Sequence, residues 1–394
     1  MPRSRIGVVL ALGTTQTLAW ASSYYLPAIL ALSIAEDLRV APAWVFAAFS
    51  WALVVSGLLG PRVGRIIDRY GGRKVLALSN LIFAAGLAQL ALAQSLPVLW
   101  LAWTFIGIGM GFGLYDAAFA TLGRLYGDDA RSAITGITLM AGFASTLGWP
   151  LTAWGNDVLG WQYTCLAWAL AHLILGAPLN RWVLPRAPGV QSSGDPDEKP
   201  EMPMDRTMWL LAFAFAAGWV VSTAMAVHLP ALLQAAGATN MQAIFAGTLI
   251  GPAQVGARLV EAGFLTRYHP LLSARLSTLM HPLGAVLLAI WGGPMAAVFA
   301  SLHGAGNGIL TIARGTVPLA VFGPKDYGYR LGLLGAPARI SQAAAPLAFG
   351  LLIERYGAGA LVVSSGLCLS AAAALLLVAS KADVGCRGHR LDQT

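Results

Sequence analysis

The residues with chemistry to offer are few, and each stands out because it lies inside an apolar run. Arg339 sits about ten residues from the nearer end of its run, roughly 15 Å along a helix, too deep for its side chain to reach water easily. A guanidinium there stays charged and is shaped to fork onto a carboxylate or phosphate. Gly332, Gly335, Arg339, Gln342 and Pro346 recur at steps of three and four, which puts them on one helical face. Two readings follow. Arg339 binds an anion with Gln342 beside it, or it forms an interhelical ion pair for which Asp116 is the partner. Asp116 is one of few acids within a run, and hydrocarbon disfavours its charge. It is either a proton carrier or a permanently paired carboxylate. Gly109 and Gly113 share its stripe, with Tyr115 adjacent; glycines four apart read as close helix packing.

Other runs add candidates. Gln16, Trp20, Ser23, Tyr24 and Pro27 lie on one side of the first run, with Tyr25 beside them. Gly247, Gly251, Gln254, Arg258 and Glu261 share a face in the eighth. Arg258 lies near an end and one turn from Glu261, so a local pair or a snorkelling arginine competes with a ligand role. Asn307 is the deeper group of a face that also holds Gly304, Gly308, Thr311 and Arg314, with Arg314 read as an anchor near the membrane surface. His228, in a run with Trp219 and Ser222, can titrate but lies near an outer end open to water. Indoles and phenols beside a deep arginine suit a small, partly apolar anion, and equally suit ordinary packing. The candidate substrate set is therefore Arg339, Asn307, Tyr24, Tyr25, Arg258, Gln342, Trp20 and Tyr115; the candidate proton-coupling set is Asp116, Glu261 and His228.

The elements that must position these residues are apolar helices. The chain is 57% apolar and 11% charged, with a mean hydropathy of +0.68, against about 25% charged in soluble domains. Twelve runs are long enough to span a bilayer: 6–32, 43–63, 75–95, 97–121, 132–156, 162–183, 207–232, 241–262, 271–292, 294–318, 329–353 and 358–380. The expected fold is an all-α membrane protein of two six-helix bundles, 1–183 and 207–380. A polar linker (184–206) joins them and a tail (381–394) follows, both too short for a signalling domain. Arg3, Arg5 and Ala19-Trp20-Ala21 imitate a signal peptide, but the apolar stretch continues too far for cleavage. All 25 Lys and Arg except Arg39, Arg355 and Arg339 fall on one side, which places both termini in the cytoplasm. The net charge of +8 and pI of 9.7 follow from that asymmetry, with no nucleic acid implied. Cys165, Cys368 and Cys386 form no spaced pair, so neither a disulfide framework nor a metal cluster is expected.

Between the second and third runs lies Gly60–Lys74, GPRVGRIIDRYGGRK. It holds five cations and Asp68, and reads as a short cytoplasmic loop, since residues that polar do not cross hydrocarbon. The halves also repeat. Gly60-Pro-Arg62 returns as Gly256-Ala-Arg258; Gly127, Gly136 and Pro150 return as Gly323, Gly332 and Pro346, all at an offset of 196. Gly109, Gly111 and Gly113 return as Gly304, Gly306 and Gly308. Six spans return the chain to its starting side, so the repeat is parallel.

The order Gly64-x-x-x-Asp68-Arg69-x-Gly71-x-Arg73-Lys74, with the span count, the linker and the 6+6 repeat, resembles the major facilitator superfamily of secondary transporters. The resemblance implies two bundles around a cavity open alternately to each side, and a gating role for Gly64, Asp68, Arg69, Gly71, Arg73 and Lys74. The second copy departs from the motif: Val260 stands where Gly64 maps, and no Asp-Arg pair follows. Arginine placement in spans eight and eleven is similar to the monocarboxylate and oxalate–formate branch. Its implied cargo is a small mono- or dicarboxylate, coupled to protons or a counter-anion. The alternative is a proton-coupled exporter of amphipathic compounds. The fifth span reads Gly142-Phe-Ala-Ser-Thr-Leu-Gly148-Trp-Pro150, a spacing that departs from the drug-antiporter signature. Phosphate-cradling, nucleophile-elbow, HExxH and CxxC signatures are missing, so neither an enzyme nor a cofactor is expected. The expected partners are a small-molecule substrate and membrane lipid, in the plasma (inner) membrane, for a monomeric protein.

Overall fold

The structure is a computed structural model that describes residues 4–186 and 204–378. Most of the expected linker, all of the tail and Cys386 lie outside the described residues. Those residues form helices and no strand. The helices are α1 (Arg5–Ser22), α2 (Pro27–Asp37), α3 (Pro42–Tyr70), α4 (Gly72–Ala91), α5 (Leu96–Gly113), α6 (Tyr115–Tyr126), α7 (Ala130–Ala141), α8 (Ala144–Leu159) and α9 (Trp161–Ala171). Two π-helical turns extend α9, His172–Gly176 and Leu179–Val183. Then follow α10 (Arg206–Ala235), α11 (Asn240–Gly263), α12 (Pro270–Trp291), α13 (Ala296–Phe322), α14 (Tyr327–Tyr356) and α15 (Ala360–Leu376).

Ten helical stretches are long and apolar enough to cross a membrane. Two of them, Leu96–Leu159 with 64 residues and Tyr327–Leu376 with 50, each have length for two crossings, because about 20 residues of helix span the hydrocarbon. Twelve crossings fit. Packing gathers residues 4–186 with 326–343 into one compact unit, and 204–325 with 344–378 into another. The segment 326–343, expected in the second bundle, thus packs with the first unit. Its partner there is α3, along a seam of small residues: a Cβ on Gly64 would run into the Gly328 carbonyl, and one on Gly332 into Gly60.

Three expected elements need correction. The stretch Gly60–Lys74 is not an irregular loop, because α3 continues through it to Tyr70 and α4 starts at Gly72. Gly71 alone makes the turn, at φ 79°, a backbone region glycine enters without Cβ strain. The polar residues there extend a helix past the hydrocarbon, where charge is tolerated. Secondly, the first span is broken. Ser22 and Ser23 turn their hydroxyls back to the Leu18 and Ala19 carbonyls, at 2.8 and 2.5 Å, a pattern that bends helices. Pro27 then opens α2. Thirdly, the fourth span breaks at Leu114, whose ψ of −172° is extended.

The glycine ladders confirm close packing and refine the repeat. Gly107 and Gly111 press on Ala52 and Ser56 of α3, and Gly109 on Phe83 of α4. Gly304 and Gly308 press on Ile250 and Gln254 of α11, and Gly306 on Ser277 of α12. The alternation matches when Gly107, Gly109 and Gly111 are paired with Gly304, Gly306 and Gly308. The spatial register is therefore one glycine earlier than the sequence spacing implied.

A Cβ at Gly107 would sit 2.6 Å from the Ala52 carbonyl oxygen, whereas nothing lies within 4 Å of one at Gly256. Gly107→Ala should therefore destabilise by about 1–3 kcal/mol through overpacking. Gly256→Ala should leave the thermal melt in detergent unchanged or raised, since alanine favours helix over glycine.

Candidate functional site

The breaks in the first and fourth spans build the site in the first unit. Past Leu114 the Ala117 amide bonds the Leu114 carbonyl, at 3.1 Å. The Gly113 carbonyl accepts instead from Gln16 Nε2, 2.5 Å away on α1. The same break puts Tyr115 and Asp116 in the first turn of α6, where the positive end of the helix dipole favours a carboxylate.

Arg339, on α14, is 2% exposed. Its Nη2 stands 3.7 Å from Asp116 Oδ2, an ion pair longer than a charge-assisted hydrogen bond of about 2.7–2.9 Å. Its guanidinium carbon lies 5.8 Å from the Trp20 ring centre, within cation–π range. Gly57 makes the approach possible, since a Cβ there would be 3.0 Å from Arg339 Cβ. One turn on, Gln342 Nε2 donates to the Tyr24 hydroxyl at 3.0 Å. Trp20 centres a group of rings, with Tyr115 at 4.9 Å, Tyr24 at 5.2 Å and Tyr25 at 6.3 Å. Asp116 also borders a small cavity lined by Ser56, Gly60, Met110, Gly111 and Gly332. Of the expected site residues, Trp20, Tyr24, Tyr25, Tyr115, Asp116, Arg339 and Gln342 come together here.

The motif residues lie at the other end of the α3–α14 seam. Asp68 accepts from the Gly328 and Tyr329 amides at 2.8 and 2.7 Å, capping the first turn of α14. Gly64 faces the Gly328 carbonyl at the same crossing. Arg65 lies over the Tyr329 ring at 4.7 Å and Arg69 over Tyr70 at 5.1 Å. Arg73 Nε donates to the Arg181 carbonyl at 2.5 Å, and Lys74 is in the first turn of α4.

Asn307, Arg258, Glu261 and His228 belong to the second unit. Asn307 Oδ1 accepts from Ser222 at 2.8 Å. Arg258 does not snorkel: it is buried, with the Gly308 carbonyl and Gln254 Oε1 each 3.4 Å away. Glu261 is buried and accepts from Ser273 at 2.6 Å. His228 is half-buried and its Nε2–H donates to the Pro346 carbonyl at 2.8 Å, so it does not simply face water. Arg314 is not a surface anchor either; it is buried and stacks 4.6 Å over Trp219.

Sequence reasoning missed three buried histidines. His172 bridges Ser22 and Asn80, each at 2.8 Å. His281 and His303 meet through their Nδ1 atoms at 3.0 Å, and His281 Nε2 lies 2.9 Å from Ser364 Oγ. Ser364 spends its own proton on the Leu361 carbonyl. His281 therefore donates to Ser364 and accepts from His303. The available signal was a histidine in an apolar run, and only His228 was weighed.

Comparison with known proteins places these features in a family. A model described as Major Facilitator Superfamily matches residues 12–302. The 3-(3-hydroxy-phenyl)propionate transporter of Escherichia coli (strain K12) is 30% identical over 144 residues, 36% of this chain and 34% of that protein. The crystal structure of the human organic anion transporter MFSD10 (TETRAN) superposes with a TM-score of 0.70 at 18% identity, covering 95% of this chain and 100% of that one. The proton:xylose symporter XylE superposes with a TM-score of 0.74 at 12% identity, covering 94% of each chain. At such identities the two structures speak to the fold alone.

Removing Asp116 takes a carboxylate away from beside a buried guanidinium. Asp116→Ala should cost toward the lower end of the roughly 3–5 kcal/mol typical of a broken buried pair, because the groups stand 3.7 Å apart. The double variant Asp116→Ala/Arg339→Leu should regain part of that loss in a detergent thermal melt. A double-variant loss equal to the sum of the Asp116→Ala and Arg339→Leu losses would deny the pair any coupling.

Proposed function

The chain belongs to the major facilitator superfamily, a family of membrane transporters and not of enzymes, and on that premise we propose that it carries a small organic anion by alternating access. The observation that carries this reading is Arg339, a permanently charged group buried in a span, with Asp116 3.7 Å away. A substrate carboxylate that reaches the guanidinium replaces this long contact with a shorter, bidentate one. Asp116 then loses its counter-charge and takes up a proton, so that anion and proton move together without net charge. Trp20, Tyr24, Tyr25 and Tyr115 frame the bound anion, and Gln342 holds Tyr24 in place. In the second unit, Asn307 and Arg258 are that unit's candidate substrate contacts, and Glu261 and His228 its candidate proton-coupling groups.

Asp68 is the latch in this scheme. Its two bonds to the amides at the start of α14 hold α3 and α14 together on the cytoplasmic side and break when that side opens. The organisation into bundles 1–183 and 207–380, with both termini cytoplasmic, a monomeric state and residence in the plasma (inner) membrane, completes the proposal. Arg339 disfavours cations, which weighs against the rival reading of a proton-coupled exporter of amphipathic compounds.

Counterflow in proteoliposomes tests the two readings. Labelled carboxylates and lipophilic cations would be offered with and without a pH gradient. Exchange of a carboxylate should fall at least tenfold in Arg339→Ala. Asp116→Asn should retain exchange but lose uptake driven by the pH gradient. Cation movement that needs the gradient and survives Arg339→Ala would overturn the anion reading.

A further inference from the structure

Resting on the anion reading, we infer that the cargo is a monocarboxylate with an aromatic ring and a hydrogen-bond-donating substituent, held by Arg339 over Trp20, with Gln16 and Gln342 receiving the donor. Three observations lead there.

The first is charge count. Among the described residues of the first unit every other arginine is half-buried or exposed, whereas Arg339 is buried deep within α14. Asp116, the side chain facing Arg339, adds no positive charge, so a second carboxylate of the cargo finds no second deep cation in this unit. One carboxylate is therefore matched, and a dicarboxylate is not.

The second is the surface around that charge. The rings around Trp20 continue outward, Tyr24 to Phe49 at 5.6 Å and Tyr25 to Trp149 at 5.9 Å. Tyr24, Tyr25 and Phe49 are only half-buried, so part of their surface is open to a ligand. Rings in this cluster meet edge-on or tilted, which leaves faces and edges for another ring to join. An aliphatic acid fills the same space without that match.

The third is a pair of lone acceptors. Gln16 is 1% exposed and Gln342 is fully buried, and among the described residues no donor reaches the Oε1 atom of either. The orientation of Gln16 is fixed, because its Nε2 must serve the Gly113 carbonyl. Gln16 lies one turn before Trp20 on α1, and Gln342 one turn after Arg339 on α14, each on the same face as its neighbour. A phenolic hydroxyl satisfies such an acceptor, whereas a methoxy group or a second carboxylate does not.

Purified protein in detergent would be melted with 3-hydroxybenzoate, benzoate, 3-methoxybenzoate, cyclohexanecarboxylate or succinate, and apparent affinities taken from the concentration dependence of the shift. The expected order is 3-hydroxybenzoate first, benzoate about tenfold weaker or more, and the other three weaker again. Gln342→Met should bring the 3-hydroxybenzoate to benzoate ratio toward one. Trp20→Leu should bring the benzoate to cyclohexanecarboxylate ratio toward one. If either variant fails to fold, the ratios in the unaltered protein decide. Shifts lost in Arg339→Ala but equally large for succinate and cyclohexanecarboxylate would overturn this inference and leave the anion reading standing. No shift from any acid, or shifts that persist in Arg339→Ala, would overturn both.

Discussion

A guanidinium cannot shed its charge, and hydrocarbon does not tolerate one unaccompanied. Arg339 imposes that constraint on the first unit, and much of the local structure answers it. The fourth span breaks so that Asp116 can stand in the first turn of α6 and face the arginine at 3.7 Å. Gly57 lacks a side chain so that α14 can bring Arg339 close to α3. Trp20 presents its ring to the cation. Each accommodation weakens some regular feature, a helix or a filled contact, and the unit accepts it. Conflicts of that kind between local preference and global fold are expected where function lies.

The same helix that carries Arg339 is held at its start by Asp68. Gly328 and Arg339 are eleven residues apart, or roughly 16 Å along a helix, and no break interrupts α14 between them. A shift of α14 at its capped end is therefore transmitted along a rigid rod to the guanidinium. Between the two points the seam with α3 is built of glycines, which permit close contact without interlocking side chains. Under our proposal, the latch and the binding residue act on one element, and binding at one end biases contact at the other. The small residues make that contact easy to break and remake.

Much of this was legible in the sequence, and the failures have a common cause. Apolar run length gave the helices, and the three-and-four spacing of Gly332, Gly335, Arg339 and Gln342 gave the face that is buried. The sequence offers Asp116 as the partner of Arg339 in one of two readings, and the structure places the two 3.7 Å apart. Hydropathy, however, averages over a run and is blind to a break inside it. The kinks at Ser23 and Leu114 arise from hydroxyl-to-backbone bonds and a single extended residue, neither of which alters the apolar pattern. The opposite error occurs at Gly60–Lys74, where polarity reads as loop although α3 continues through it to Tyr70. Arg314 and the pair His281–His303 were misjudged or missed because their partners are remote in sequence.

The central claim is that Arg339 exchanges Asp116 for the carboxylate of the cargo. A structure with 4-bromobenzoate bound, its bromine marking the ring, tests it most directly. The account predicts the carboxylate about 2.8 Å from the guanidinium nitrogens, with Asp116 farther from Arg339 than the present 3.7 Å. A ligand bound elsewhere, with the Arg339–Asp116 pair unchanged, would contradict it and leave that pair a structural device.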